Sequence, residues 1–268
     1  MLRRTVSTTA DFQQSWDSRI NFIVTDACVP FAFSFPSTET IVELLLKEES
    51  TTAITGEART TGDLQNVIEN FRGMSLDDLA GRPFQLRFPD VTVLDRPGGI
   101  FEGFNEQVLV PWKQYLLENE FEWDRCYALA RVSGPDTHTG YHMDRSNVLF
   151  WNVCGRKVFH GFAEPDRWVP IERSTDKSIS QTMPENMREG DLLSYELGDG
   201  VLLWNHLQTP HWVDAPRLTF GINFSHGGLR HKGRLCRYEQ HLYDHSGKNP
   251  NKSWHPETSS AAFSRTLQ

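Results

Sequence analysis

The feature that most constrains this chain is a change of texture near residue 124. From there, short apolar or alternating runs cover residues 126–133, 147–153, 157–162, 191–195, 200–205 and 217–224, separated by Gly, Pro, Asp and Asn. Runs at this spacing predict the strands of an all-β sandwich or barrel. Cys154-Gly155-Arg156 predicts a tight hairpin between two of them. Eight Trp and seventeen Phe suit a β-rich core with bulky layers.

Residues 1–123 read differently, as a mixed and partly helical region. Residues 38–46 have a helix-like start with an acidic first turn. In 63–71, Leu64, Val67, Ile68 and Phe71 recur on one helical face, with Asp63 placed to cap it. A third helix is predicted over 106–119, where Pro111 marks a kink or a start. Residues 227–268 read as a polar extension with a short helix near 234–243, and the histidines from 226 onward read as solvated. Barrels of this length are commonly one domain, so 1–268 is read as a single domain with its core at 124–226.

The formal net charge of -8 disfavours a phosphate-backbone partner, since nucleic-acid binding draws on clustered Lys and Arg. Cys28, Cys126, Cys154 and Cys236 are scattered and form no Cys-x-x-Cys pair, which predicts free thiols in a reducing compartment. Nothing approaches a continuous apolar span of membrane length, and Met1-Leu2-Arg3-Arg4 lacks a secretory signal's apolar stretch. The expectation is a cytoplasmic protein without membrane or nucleic-acid partners.

The chemistry-bearing pattern is His142-Met143-Asp144 with a distant His211. A mononuclear iron that activates oxygen needs two imidazoles and one carboxylate on one face. Residues i and i+2 of a strand point the same way, so His-x-Asp offers two of the three. Ten histidines and 35 acidic residues make about one such triplet expected by chance, and His255-Pro256-Glu257 is a second. The triplet alone is therefore weak, and His206 and His138 compete with His211 for a ligand's place.

The surrounding blocks are more specific. The first is Thr139-Gly140-Tyr141-His142-Met143-Asp144, followed by Asn147-Val148-Leu149-Phe150-Trp151-Asn152-Val153 and Gly155-Arg156-Lys157. The second runs from Gly198-Asp199 through Thr209-Pro210-His211-Trp212-Val213 to Ile222-Asn223-Phe224. Together they resemble the JmjC and cupin-like 2-oxoglutarate oxygenases, over about a third of the chain. The resemblance implies a mainly β fold with flanking helices, a double-stranded β-helix (cupin or jelly-roll barrel). It implies iron(II) on His142, Asp144 and His211, and O2 and 2-oxoglutarate as cosubstrates. Lys157 and Thr139 would take the far carboxylate of 2-oxoglutarate, with Asn223 and Asn147 as further contacts. The spacing from Asn147 to Gly155 is one residue longer than the family pattern. Thr139 also has the opposite strand parity to His142, so both face one site only if the chain bends at Gly140.

The implied activity is hydroxylation, or another oxidation, of an unactivated C–H bond. A small molecule such as an amino acid or natural-product intermediate is the expected substrate, with a protein side chain as the alternative. Two other classes stay open: a cupin metalloenzyme without oxygen chemistry (an isomerase or epimerase) and a non-catalytic binding protein. Lys157 could equally be a surface lysine, and Arg217 is its rival as anchor. Tyr127 and Arg131 are candidate contacts on the strand entering the site, and the C-terminal extension could pack against a second subunit.

Overall fold

The computed structural model describes residues 4–54, 68–74, 76–176 and 182–245. Its strands are β1 (Thr5–Val6), β2 (Phe22–Val24), β3 (Thr52–Ile54), β4 (Gln85–Phe88), β5 (Phe121–Glu122), β6 (Arg125–Ser133), β7 (Thr137–Met143) and β8 (Asn147–Cys154). They continue as β9 (Lys157–Phe162), β10 (Leu192–Leu197), β11 (Val201–Asn205), β12 (Pro210–Ala215), β13 (Thr219–Gly227), β14 (Arg230–His231) and β15 (Arg234–Leu235).

A large sheet runs β1-β2-β11-β8-β13-β6-β4-β3, and a small one β10-β9-β12-β7. The strands β6 to β13 are shared between the two sheets: β6, β8, β11 and β13 in one, β7, β9, β10 and β12 in the other. This is a double-stranded β-helix, the jelly roll of the cupins. All six apolar runs of the sequence are strands of this barrel. Periodicity does not reveal β7 (THTGYHM) or β12 (PHWVDA), because neither alternates apolar with polar residues. A third, small sheet is β15-β14-β5.

The N-terminal region does more than the sequence suggests. Besides helices at Thr9–Ser15 and Thr38–Lys47, it supplies β1 to β4, which widen the large sheet at both edges. These strands are two to four residues long, too short for any periodic signal. The second helix starts as read, with the Ser37 hydroxyl accepting from the Thr40 amide at 3.3 Å. Residues 68–72 are helical, while the expected start at Asp63 lies outside the described residues. The third helix begins with a π-helical segment, Asn105–Leu109, before Val110–Glu118. Pro111 has no N–H for the carbonyl of Gln107, so the regular ladder cannot run through this point. The last helix is Arg237–Asp244.

Alternation along the strands separates two apolar layers. Ala128, Ala130, Val132, Leu149, Trp204, Ile222 and Phe224 point out of the barrel and pack with Phe12, Trp16, Phe22 and Trp112 of the N-terminal region. Fully burying side chains of this kind stabilises by about 1.5–3 kcal/mol each. Val148, Phe150, Phe159, Leu193, Tyr195, Leu197 and Leu203 fill the interior instead. His226 is a correction to the solvated reading: it is fully buried, accepts from Trp112 Nε1 at 2.8 Å, and its Nδ1 lies 3.1 Å from the Asn147 carbonyl. The four cysteines are free, and among the described residues no helix is long and apolar enough to cross a membrane.

Candidate metal centre

His142 lies near the end of β7 and His211 near the start of β12, and the antiparallel register sets the two directly opposite each other. Asp144 is just past the end of β7, so the His-x-Asp pair straddles a strand end. Ligand atoms of all three residues lie within 4.8 Å of one another. The Asp144 carboxylate meets His142 Nε2 at 3.8 Å and His211 Nε2 at 3.7 Å.

Both imidazoles are oriented from behind. His142 Nδ1 is 2.7 Å from the Gly140 carbonyl and His211 Nδ1 is 2.8 Å from that of Thr209. Each Nδ1 must therefore carry the proton, which leaves the Nε2 lone pairs aimed at the shared point. Burial, and then the charge of His142, pushes His211 down to about 4, so it is a neutral donor at physiological pH. Burial works to raise Asp144, but His211, His142, Arg131 and the Asn205 hydrogen bond outweigh it and hold the carboxylate below its ordinary range.

The end of β11 and the loop after it fix the third candidate ligand. Asn205 Nδ2 donates to Asp144 Oδ2 at 3.0 Å, and the Gln208 amide donates to the Asp144 carbonyl at 2.8 Å. Arg19 in turn holds that loop. Its Nε donates to the Gln208 carbonyl at 2.9 Å, and its carbonyl accepts from the Thr209 hydroxyl at 3.0 Å. Neither Asn205 nor Arg19 was singled out in the sequence. Arg19 is 189 positions from Gln208, a separation at which no local pattern signals contact.

A cavity of about 50 Å³ opens beside the triad, lined among others by Thr139, Phe150, Lys157, Asn205 and Asn223. Lys157 is 5% exposed, its ammonium sits 4.9 Å from the centre of the Phe150 ring, and no carboxylate pairs with it among the described residues. Burial, with Arg131 adding to it, pushes the lysine down to about 7. Gly221 makes the room for that ring: a Cβ there would stand 2.6 Å from Phe150.

Thr139 does face the site, and the reason is a bulge. His211 pairs with His142 but Val213 with Thr139, so Gly140 and Tyr141 together oppose Trp212 alone. The extra residue reverses the parity and brings Thr139 and His142 to the same face. The Thr139 hydroxyl accepts from Gln85 Nε2 at 2.8 Å, which turns its own proton toward the cavity.

Other candidates are placed elsewhere. Asn147 is outside the cavity lining, with its Oδ1 accepting from the Leu207 amide at 3.2 Å. His206 is fully buried with Nδ1 on the Leu207 carbonyl, and burial, then Arg19, pushes it down to about 3. His138 is exposed and bonded to Asp214 at 2.6 Å, and Arg217 is exposed. Tyr127 lines the mouth of the barrel, and Arg131 lines both the mouth and the cavity beside the triad.

The barrel and its triad define a class: a double-stranded β-helix with two imidazoles and a carboxylate converging at its mouth. Within that class, solved structures of the Escherichia coli ribosomal oxygenase YcfD share the fold. One matches with a TM-score of 0.51 at 14% identity, covering 84% of this chain and 53% of that one. Another, in complex with cobalt and 2-oxoglutarate, matches with a TM-score of 0.50 at 12% identity, covering 92% of this chain and 57% of that one. The chain thus spans little more than half the length of these structures. No protein-family model and no curated protein sequence matches it.

Proposed function

We propose that this protein is an iron(II)- and 2-oxoglutarate-dependent dioxygenase that hydroxylates, or otherwise oxidises, an unactivated C–H bond of a small molecule. His142, Asp144 and His211 would hold the metal, with 124–226 as the catalytic core. The observation that carries this reading is a pairing of two features in one cavity. Two imidazoles and a carboxylate converge on a point, and a buried lysine with no counter-ion among the described residues stands on the wall beside them.

The donor set fits a divalent iron. Both imidazoles turn Nδ1 to a backbone carbonyl and Nε2 to the shared point, and a triad of this composition leaves the opposite coordination positions open. The chemistry that iron(II) would supply here is activation of dioxygen coupled to decarboxylation of 2-oxoglutarate to succinate and carbon dioxide. The chain's own residues do the rest. Lys157 would pair with the far carboxylate of 2-oxoglutarate, an ion pair strengthened by its dry surroundings. Thr139, held by Gln85, would donate its hydroxyl proton to the same group. Asn223, whose buried Oδ1 has no partner among the described residues, would bond near the metal. Val148, Phe150, Phe159 and Val213 keep that end of the cavity apolar and exclude water.

A second reading, oxidation of a protein side chain, draws support from the fold likeness to the ribosomal oxygenase YcfD. The free cysteines suit a reducing compartment such as the cytoplasm. Anaerobic titration of the apo-protein with iron(II) and then 2-oxoglutarate tests the core of the proposal. The expected result is a visible metal-to-ligand charge-transfer band that His211→Ala abolishes. Iron binding without any band would instead favour a metalloenzyme that does no oxygen chemistry. Incubation with metabolite extract and, separately, with proteins then separates the two substrate classes by which gains an oxygen atom.

A further inference from the structure

A second cavity, of about 450 Å³, adjoins the metal triad on the open side of the barrel. Its charge runs against that of the whole chain. The net charge is -8, yet Arg87, Arg125, Arg131 and Arg145 all line this cavity, and Asp144 is the only carboxylate among the lining residues.

We infer that the substrate is a small molecule bearing a carboxylate or phosphate, which docks on Arg87, Arg131 and Arg145 beside the metal. This rests on the oxygenase reading and adds the substrate's chemistry to it. The β4–β6 register sets Arg87 directly opposite Arg131, so two like charges are neighbours on one sheet face. Such a pair is destabilising by itself. The Nε of each is buried and has no hydrogen-bond partner among the described residues. Buried polar groups are normally satisfied, and two neighbouring guanidiniums with unmet Nε donors on a cavity wall suit an anion.

Arg125 has a structural part instead: it donates to Ser146 at 3.3 Å and its charge faces the buried Glu239. Arg131 lines both cavities, so an anion held on the Arg87–Arg131 pair lies next to the triad. Lys157 lines only the inner cavity, where it would serve the cosubstrate, which leaves the Arg87–Arg131 pair for a different anion. The cavity volume falls in the range of small-molecule sites, and guanidinium forks match carboxylate and phosphate oxygens two at a time.

The test is calorimetric titration of the protein loaded with manganese(II), which does not turn over, and 2-oxoglutarate. The probes are inorganic phosphate, then matched pairs: carboxylates with their primary amides, and phosphate monoesters with their parent alcohols. The expected result is at least about tenfold tighter binding of the anion in each pair, weakened by salt. Arg87→Gln and Arg145→Gln are each expected to cost about tenfold, and Arg87→Lys, which keeps the charge, to recover part of it. Equal binding of amides and alcohols, or anion binding indifferent to Arg87→Gln in a variant with native circular dichroism, overturns the inference. Binding of acidic peptides but not of small anions would overturn its small-molecule form. Binding of 2-oxoglutarate, measured first in the same cell, separates the failures. Its absence counts against the oxygenase reading, while phosphate titrated into metal-free protein still tests the arginine cavity.

Discussion

His142 and His211 face each other across the β7–β12 ladder with ring centroids 4.1 Å apart, and the His211 ring lies flat on Phe159 at 4.8 Å. Two candidate ligands are thus placed by strand register and one stacking contact. The third, Asp144, sits beyond the strand end and depends on Asn205 at the end of β11 and on Gln208 in the loop that follows. The two strand histidines are rigid by construction, while the carboxylate, past the end of β7, is held from outside.

That division sets different costs for different substitutions. His211→Ala removes a donor atom and is expected to lower iron(II) affinity by more than 100-fold. Asn205→Ala leaves all three donors in place and frees only the carboxylate, so a loss of about 10- to 100-fold is expected. Anaerobic iron titration of both variants checks the ranking, and equal losses would contradict it.

Lys157→Met is expected to abolish 2-oxoglutarate binding while making the apo-protein more stable. The lysine titrates near 7 in the fold and near its ordinary 10.4 when unfolded. Between those values the unfolded chain binds the extra proton, so wild-type stability rises with pH, by about 1.4 kcal/mol per unit at most. The variant lacks this dependence. At pH 7 it is expected to exceed the wild type by about 2–4 kcal/mol, and the gap should narrow by pH 9. Urea unfolding at the two pH values measures it.

Acid works through His206 and His226. Burial depresses both, to about 3 and about 4, whereas unfolded imidazoles titrate near 6.5. As pH falls below 6.5 the unfolded chain takes up protons that the fold refuses, so stability is lost from there downward, by up to about 1.4 kcal/mol per unit for each histidine. His226→Gln, which can still accept from Trp112, should show a shallower decline between pH 6.5 and 5. An unchanged slope in thermal melts would show that His226 carries none of it.

Arg19→Leu is expected to affect the metal from a distance. Arg19 bonds Asp166 and the Val169 carbonyl at 2.7 Å each, in addition to the Gln208 carbonyl. Its removal leaves buried acceptors unmet, at a cost of about 3 kcal/mol. Because the freed loop positions Asp144, iron(II) affinity should fall as well, whereas a merely structural residue would lower only the unfolding free energy.

The sequence by itself determined six of the strands and a sandwich or barrel class, through alternating apolar residues and the turn residues between them. The triad was legible only through the two motif blocks around it and their resemblance to a known family, since His-x-Asp alone is a weak signal. Tertiary structure alone decided that Thr139 shares a face with His142, because a one-residue bulge opposite Trp212 resets a parity that the sequence leaves open. It also decided that Asn147 stays outside the cavity and that His226 is buried against Trp112. The supports of Asp144 and the arginine pair at the mouth belong to the same group. Arg19 and Gln208, or Arg87 and Arg131, come together through strand order and register. Periodicity reports which face of a strand is buried, whereas those contacts depend on which strand lies beside it, and that is settled only when the two sheets close.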